Sequence, residues 1–302
     1  MSIALRGPAA AHTLARQDEA TVDRDAPARR PSPWRKLGWT GVAAVLFLGL
    51  LIVVALIGPP LWRWQALEQH MDALLQDPSL SHPLGTDEFG RDIVARLLLG
   101  ARWSLAGAAA ICVGTSVVGF LVAALAVSGD RKTDAILGRI IEAMMALPGL
   151  VTALAFAAIL GASFTNLLFA LIVTSWPWYA RTYRALLLKE RQALYVESAV
   201  AAGAGKWRVL LRHVLPNIIG PAAVLATANF GSVILNLAGL SFLGLGMQPP
   251  TPEWGEMINE AARYFQDYPW QMIAPGLCIG ATVLAVNLLG DALRDVADPR
   301  TR

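Results

Sequence analysis

Long uncharged apolar runs dominate the chain, separated by short polar stretches. The clearest run from Gly38 to Leu61, Trp103 to Val127, Ile140 to Leu160, Phe164 to Ala180, Pro216 to about Leu240, and Pro269 to Gly290. A bilayer core of about 30 Å takes about 20 apolar residues in helix, and a helix satisfies its own backbone hydrogen bonds there. The pattern therefore predicts an all-α integral membrane protein with six transmembrane helices. Glu142 falls in the first turn of the third run and Pro148 inside it, which predicts a kinked helix with an interfacial carboxylate. Composition agrees: of 302 residues 55% are hydrophobic and only 16% charged, against roughly 25% charged in soluble domains. A formal net charge of +3 is too small to mark a nucleic-acid binder.

The position of the cations matters more than their sum. Seven Lys and Arg precede Gly38, three lie between Ser128 and Arg139, seven between Arg181 and Arg212, and three after Gly290, whereas five fall on the opposite face. With an even number of spans, the positive-inside rule puts both the N- and C-termini in the cytoplasm. The first apolar run is too long for a signal peptide and ends in Gly58-Pro59-Pro60 instead of a small-residue cleavage site, so it reads as an uncleaved span. Residues 1–37, poor in large apolar groups, read as a disordered tail with an anchor at Arg35-Lys36.

Several chemistries lack their residues. Cys112 and Cys278 sit singly in apolar stretches and read as packing residues, and His12, His70, His82 and His213 are too scattered for a buried metal site. Apart from Glu142, the spans hold no ionisable side chain of the kind that ion-coupled carriers keep at mid-membrane. Asn229, Asn236 and Asn287 are their main polar exceptions, open to two readings: interhelical hydrogen bonds or a substrate path. Gly276 and Gly280 form a small-x-x-x-small pair expected to serve ordinary packing. The string Gly203-Ala-Gly-Lys206 lacks a phosphate-loop glycine, because Val200 stands there, and Trp207 replaces the following Ser or Thr. The chain is thus expected to bind no cofactor and catalyse no reaction.

The segment joining the fourth and fifth runs, 181–214, is the most informative. Its first part, through Ala202, reads as a helix of small residues ended by Gly203, a left-handed cap. Its second part starts near Lys206 and places Trp207, Leu210, Leu211 and Val214 on one face, opposed by Arg208 and Arg212. Such a hairpin could lie in the membrane interface or act as a knob for a partner's groove, with Glu197 offering a charge and the small residues allowing close backbone approach.

The order Glu197, Ser198, Ala199, Gly203 and, after nine residues, His213, Val214, Leu215 and Pro216 resembles the EAA loop of ABC-type importer permeases, Glu-Ala-Ala-x3-Gly-x9-Ile-x-Leu-Pro. Ser198 and His213 depart from that pattern; the oligopeptide branch is similar in having His there. The strings HPLGTDEFGRD from His82, LSFLGLGMQPPTPE from Leu240 and NLLGDALRDVADPR from Asn287 resemble the C-type membrane subunit of dipeptide, oligopeptide and nickel importers. The resemblance runs from about His82 to Arg300.

That resemblance implies a binding-protein-dependent importer permease (MetI-like) fold in the bacterial cytoplasmic (inner) membrane. It implies partners too: a homologous second permease, two ATPase subunits carrying ATP and Mg, an external solute-binding protein, and the lipid bilayer. Glu197, Ser198, Ala199, Gly203, Trp207, Leu215 and Pro216 would couple to the ATPases. The implied organisation is a cytoplasmic tail 1–37, a first helix 38–61, an external loop 62–101, a permease core 102–290 containing the insert 181–214, and a cytoplasmic tail 291–302. In the loop, Thr86 can cap an amphipathic helix with Asp87 and Glu88 in its first turn, a stripe of Phe89, Ile93 and Leu97, and its end at Gly100. In the last tail Asp291, Arg294 and Asp295, spaced i, i+3 and i+4, are either a surface charge pattern or a cytoplasmic dock.

Overall fold

The computed structural model describes residues 38–297, apart from the side chains of 59–65 and 297; its regular elements are all helices save for one isolated bridge, Thr86 to Asp92. The expected disorder of 1–37 lies outside these residues. Ten helices are described: α1 (Gly38–Leu67), α2 (Ile93–Ser128), α3 (Arg131–Met145), α4 (Gly149–Leu160), α5 (Phe164–Arg191), α6 (Leu194–Ala201), α7 (Lys206–Val209), α8 (Leu215–Phe242), α9 (Trp254–Ala261) and α10 (Trp270–Ala297). A π-turn, Leu210–Val214, joins α7 to α8 without a break.

Four of the six expected spans stand as long apolar helices: Gly38–Gly58, Ile93–Ser128, Lys206–Phe242 and Trp270–Val296. The other two differ from expectation. In place of one kinked span, α3 and α4 meet at 87° around Pro148. The cause is local: Asp130 caps α3 by accepting from the Thr133 N–H at 2.8 Å, so the polar stretch expected to be a loop is already helix when the chain reaches the proline. The fourth run is the front of α5, whose rear carries Arg181, Arg184, Lys189 and Arg191. Its 17 uncharged residues would reach only about 26 Å in helix, short of a full hydrocarbon core.

Element ends also move. No separate helix starts at Thr86: residues 86–92 form a tight loop, Asp92 caps α2 through the Ala95 N–H at 2.7 Å, and α2 continues through Gly100. The tail 291–302 is helical as far as Ala297, and the insert's first eleven residues extend α5.

Helix α2 is the central post. It packs against α1, α5 and α8, and a Cβ on Gly119 would meet the Tyr179 Cβ at 2.6 Å and the Ala180 N at 2.9 Å, so only Gly allows α5 this close. The Gly276 and Gly280 pair has open space where a Cβ would be, so it serves no contact within this chain.

At 36 residues α2 is about 54 Å long and carries a different structure at each end. At its start, the loop 68–92 and α9 clasp one another. Glu253 caps α9 by accepting from the Glu256 N–H at 3.2 Å, and Ser104 donates to Glu253 at 2.7 Å. The buried Trp254 indole donates to the Leu97 carbonyl at 3.0 Å. At its finish, Arg191 and Lys206 donate to the Val127 and Ser128 carbonyls at 2.8 and 3.3 Å, cations meeting the negative end of a helix.

Candidate functional site

The 192–218 region is a knob seated on the far end of α2. Helix α6 ends in a Schellman turn: Ala204 N–H donates to the Ala199 carbonyl at 3.1 Å, Gly203 N–H to the Val200 carbonyl at 2.9 Å, and Gly203 has φ +84°. A Cβ at Gly203 would meet nothing, so the glycine answers a backbone need, as the sequence predicts.

Anchoring and exposed side chains separate cleanly. Val196, Val209, Leu210, Val214 and Ile218 are buried against Ala124, Val127, Tyr183 and Leu187. The Asn217 amide donates to the Tyr195 hydroxyl and to the His213 carbonyl, both at 2.8 Å, and Tyr195 donates to Glu190, latching α6 to the start of α8. Burial and the bond to Glu190 hold the Tyr195 hydroxyl above its ordinary pKa. The expected face of Trp207, Leu210, Leu211 and Val214 does not form as a unit. Leu210 and Val214 point inward, but Trp207 and Leu211 are 54% and 56% exposed, and Val209 turns inward. The i+5 bond of the π-turn, Leu215 N–H to the Leu210 carbonyl, widens the helix and rotates the register.

Of the predicted coupling residues, Glu197, Ser198, Gly203, Trp207 and Pro216 are exposed and Ala199 and Leu215 half-buried, all on this knob. Leu194, at 81%, and Val200 are also exposed. A small projection thus presents an indole and aliphatic side chains next to Arg208 and Arg212, an arrangement suited to a protein groove.

The three asparagines separate. The Asn229 amide donates to the Tyr179 hydroxyl at 2.9 Å, an interhelical bond, and Asn229 also borders a cavity. Asn287 lies over Gly231, where a Cβ would meet its Oδ1 at 3.1 Å, and Asn236 is exposed. Asp291, Arg294 and Asp295 are exposed on the last turns of α10, and among the described residues no ion pair joins them.

Sequence reasoning missed a buried ionic cluster at the opposite end of the molecule. Arg91 Nε donates to Asp87 at 2.7 Å and Arg96 Nη2 to Glu260 at 2.5 Å; Arg96 also meets Asp87, and Arg91 reaches Glu260 at 3.3 Å. All four side chains are at most 8% exposed. Two strings 160 to 170 residues apart are thereby bolted together. The acids at 253, 256 and 260, spaced along one face of a short helix, were the available signal.

Several apolar helices around a central post mark a multi-pass membrane protein. Residues 115–302 match the family described as binding-protein-dependent transport system inner membrane component. The chain belongs to that family. Over 285 residues it is 40% identical to the di/tripeptide transport system permease protein DppC of Pseudomonas aeruginosa, covering 90% of this chain and 94% of the relative. It is 36% identical to the dipeptide transport system permease protein DppC of Alkalihalophilus pseudofirmus, covering 90% and 91%. To the glutathione transport system permease protein GsiD of Pectobacterium atrosepticum it is 41% identical, covering 90% and 92%.

Proposed function

We propose that this chain is one of two homologous permease subunits of an ATP-driven peptide importer in the bacterial inner membrane. Two ATPase subunits bind the permease pair from the cytoplasm, this chain's knob engaging them, and an external solute-binding protein delivers di- or oligopeptides at the end that carries the ionic cluster. The observation that carries this reading is the knob itself: Glu197 to Pro216 holds an exposed apolar and cationic surface on a rigid turn at the cation-rich end of the molecule.

The six-span arrangement with both termini inside is part of the proposal. The bent pair α3–α4 counts as one crossing and α5 as another, and the cation distribution supports the sidedness. The chain performs no catalysis. ATP and Mg belong to the ATPase subunits, whose closure moves the knob as a rigid body, and the spans answer by exchanging inward for outward access. Asp291, Arg294 and Asp295 project from the same end as the knob and offer a second dock.

Peptides are favoured by the relatives' names; nickel chelates or another small solute would travel by the same mechanism. A self-sufficient channel or secondary carrier is disfavoured because the spans carry no paired mid-membrane charges. The test is Gly203→Val in the complete reconstituted transporter. A β-branched side chain in the left-handed region costs roughly 1–2 kcal/mol and displaces the turn without meeting any neighbour. The expected result is ATP hydrolysis without uptake, with Gly203→Asn, a residue that tolerates this conformation, largely retaining uptake. Normal uptake by Gly203→Val would overturn the mechanism.

A further inference from the structure

A cavity of about 270 Å³ lies where the Pro148 break, Pro177 of α5 and Asn229 of α8 meet. Met144, Met145, Thr174, Ser175, Trp178 and Asn229 are among its lining residues. Its depth can be read along α2. Tyr179, next to the cavity, touches Gly119 and hydrogen-bonds toward Cys112. Those residues precede the end of α2 at Ser128 by roughly 14 and 24 Å at 1.5 Å per residue. With Ser128 taken as the cytoplasmic edge of a hydrocarbon core of about 30 Å, the cavity stands at about half its depth.

Its chemistry does not suit lipid. Among the described residues the Ser175 hydroxyl has no hydrogen-bond partner, and Asn229 uses only its amide nitrogen, leaving Oδ1 open. Donors and acceptors facing hydrocarbon would each forgo a hydrogen bond, at a cost that membrane proteins avoid. The lining also contains no titratable side chain. Two thioethers and an indole that is 40% exposed supply adaptable apolar contact, the combination that accepts many side chains.

We propose that this cavity is the mid-membrane station of the transport path in this subunit, and that it takes the neutral backbone amides of a passing peptide. The Ser175 hydroxyl and the open Asn229 Oδ1 can pair with the N–H and C=O that every peptide has, and the absence of charge leaves cargo side chains unselected. The proposal rests on the importer reading.

The test uses the complete transporter in liposomes, with Cys112 and Cys278 replaced by Ala. ATP-driven dipeptide uptake is measured first, since its absence would count against the importer reading and not against the cavity. Ser175→Cys and Trp178→Cys are then exposed to a charged, membrane-impermeant methanethiosulfonate reagent, without nucleotide and in an ATP-trapped state. In at least one state they should react at least tenfold faster than Leu50→Cys, which lies on the exposed side of α1, and dialanine should slow the reaction. Reaction no faster than Leu50→Cys in both states would mean that lipid or the second permease fills the cavity, and would overturn the proposal. In addition, Ser175→Asp should lower uptake of a Glu-containing dipeptide at least tenfold more than uptake of dialanine. Equal losses for both peptides would show a merely structural role and overturn it as well.

Discussion

Replacing Arg96 with Met removes one of two guanidiniums that Asp87 and Glu260 share. Arg91 then remains for both carboxylates, held to Asp87 at 2.7 Å but reaching Glu260 only at 3.3 Å. Glu260 is left buried and poorly paired, and breaking a buried pair from one side costs about 3–5 kcal/mol. That is two to nearly four orders of magnitude in the folding equilibrium. Glu260→Met strands Arg96 in the same way. The double variant, by contrast, removes a whole pair and leaves Asp87 with Arg91 intact, and a methionine pair of similar volume can replace a buried pair at little cost. Reversible unfolding of the purified chain in mixed micelles, titrated with SDS, gives all three free energies. The double variant should be destabilised less than either single one, with a coupling above about 1 kcal/mol. Single costs that add to within about 0.5 kcal/mol would refute the shared-network reasoning.

Other outcomes follow from the same geometry. Burial pushes the Glu256 carboxyl up from 4.5 to about 8, with Glu260, Glu253 and Glu88 adding to the rise and Arg96 opposing it. Since the folded value lies above the unfolded one, the folded chain binds more protons between them, and the contribution to stability is full below about 4.5 and lost as pH rises through about 8. Glu256→Gln should flatten the fall in thermal stability between about pH 4.5 and 8, and an unchanged fall would contradict this assignment. Leu210→Ala, which empties a buried contact between the knob and the end of α2, should cost about 2–5 kcal/mol by the same SDS titration. Trp207→Ala should weaken ATPase binding to the permease pair by about thirtyfold or more, as loss of an exposed aromatic anchor does, while leaving the stability of the chain within about 0.5 kcal/mol.

What the sequence made legible was local. Gly203 had to end a helix, and it does; Asp130, read as a loop residue, and Asp92, read as helix interior, instead start helices, because a carboxylate just before a helical stretch satisfies orphan N–H groups wherever the following turn can pack. The knob's position was readable from small residues and charge, but its inward face was not. A π-turn moves Trp207 and Leu211 outward, and no 3.6-residue periodicity encodes an i+5 bond. The ionic cluster was missed for a different reason: the spacing of the acids at 253, 256 and 260 hints at a buried face, but Arg91 and Arg96 counted as outer-face cations, and Glu260 is brought to them only by tertiary packing of α9 on α2. Pro148 announced a bend, yet its 87° extent depends on α3 beginning fifteen residues before Ala146, which no proline rule supplies.

The central claim is that the knob is the surface through which cytoplasmic ATPases drive this subunit. A single cysteine at Trp207, in inside-out membrane vesicles holding the complete transporter, tests it most directly. Disulfide or short-spacer crosslinking should join that position to an ATPase subunit, with a yield that changes when ATP is trapped. No crosslink in either nucleotide state, together with labelling of the same cysteine from outside intact cells, would contradict the account.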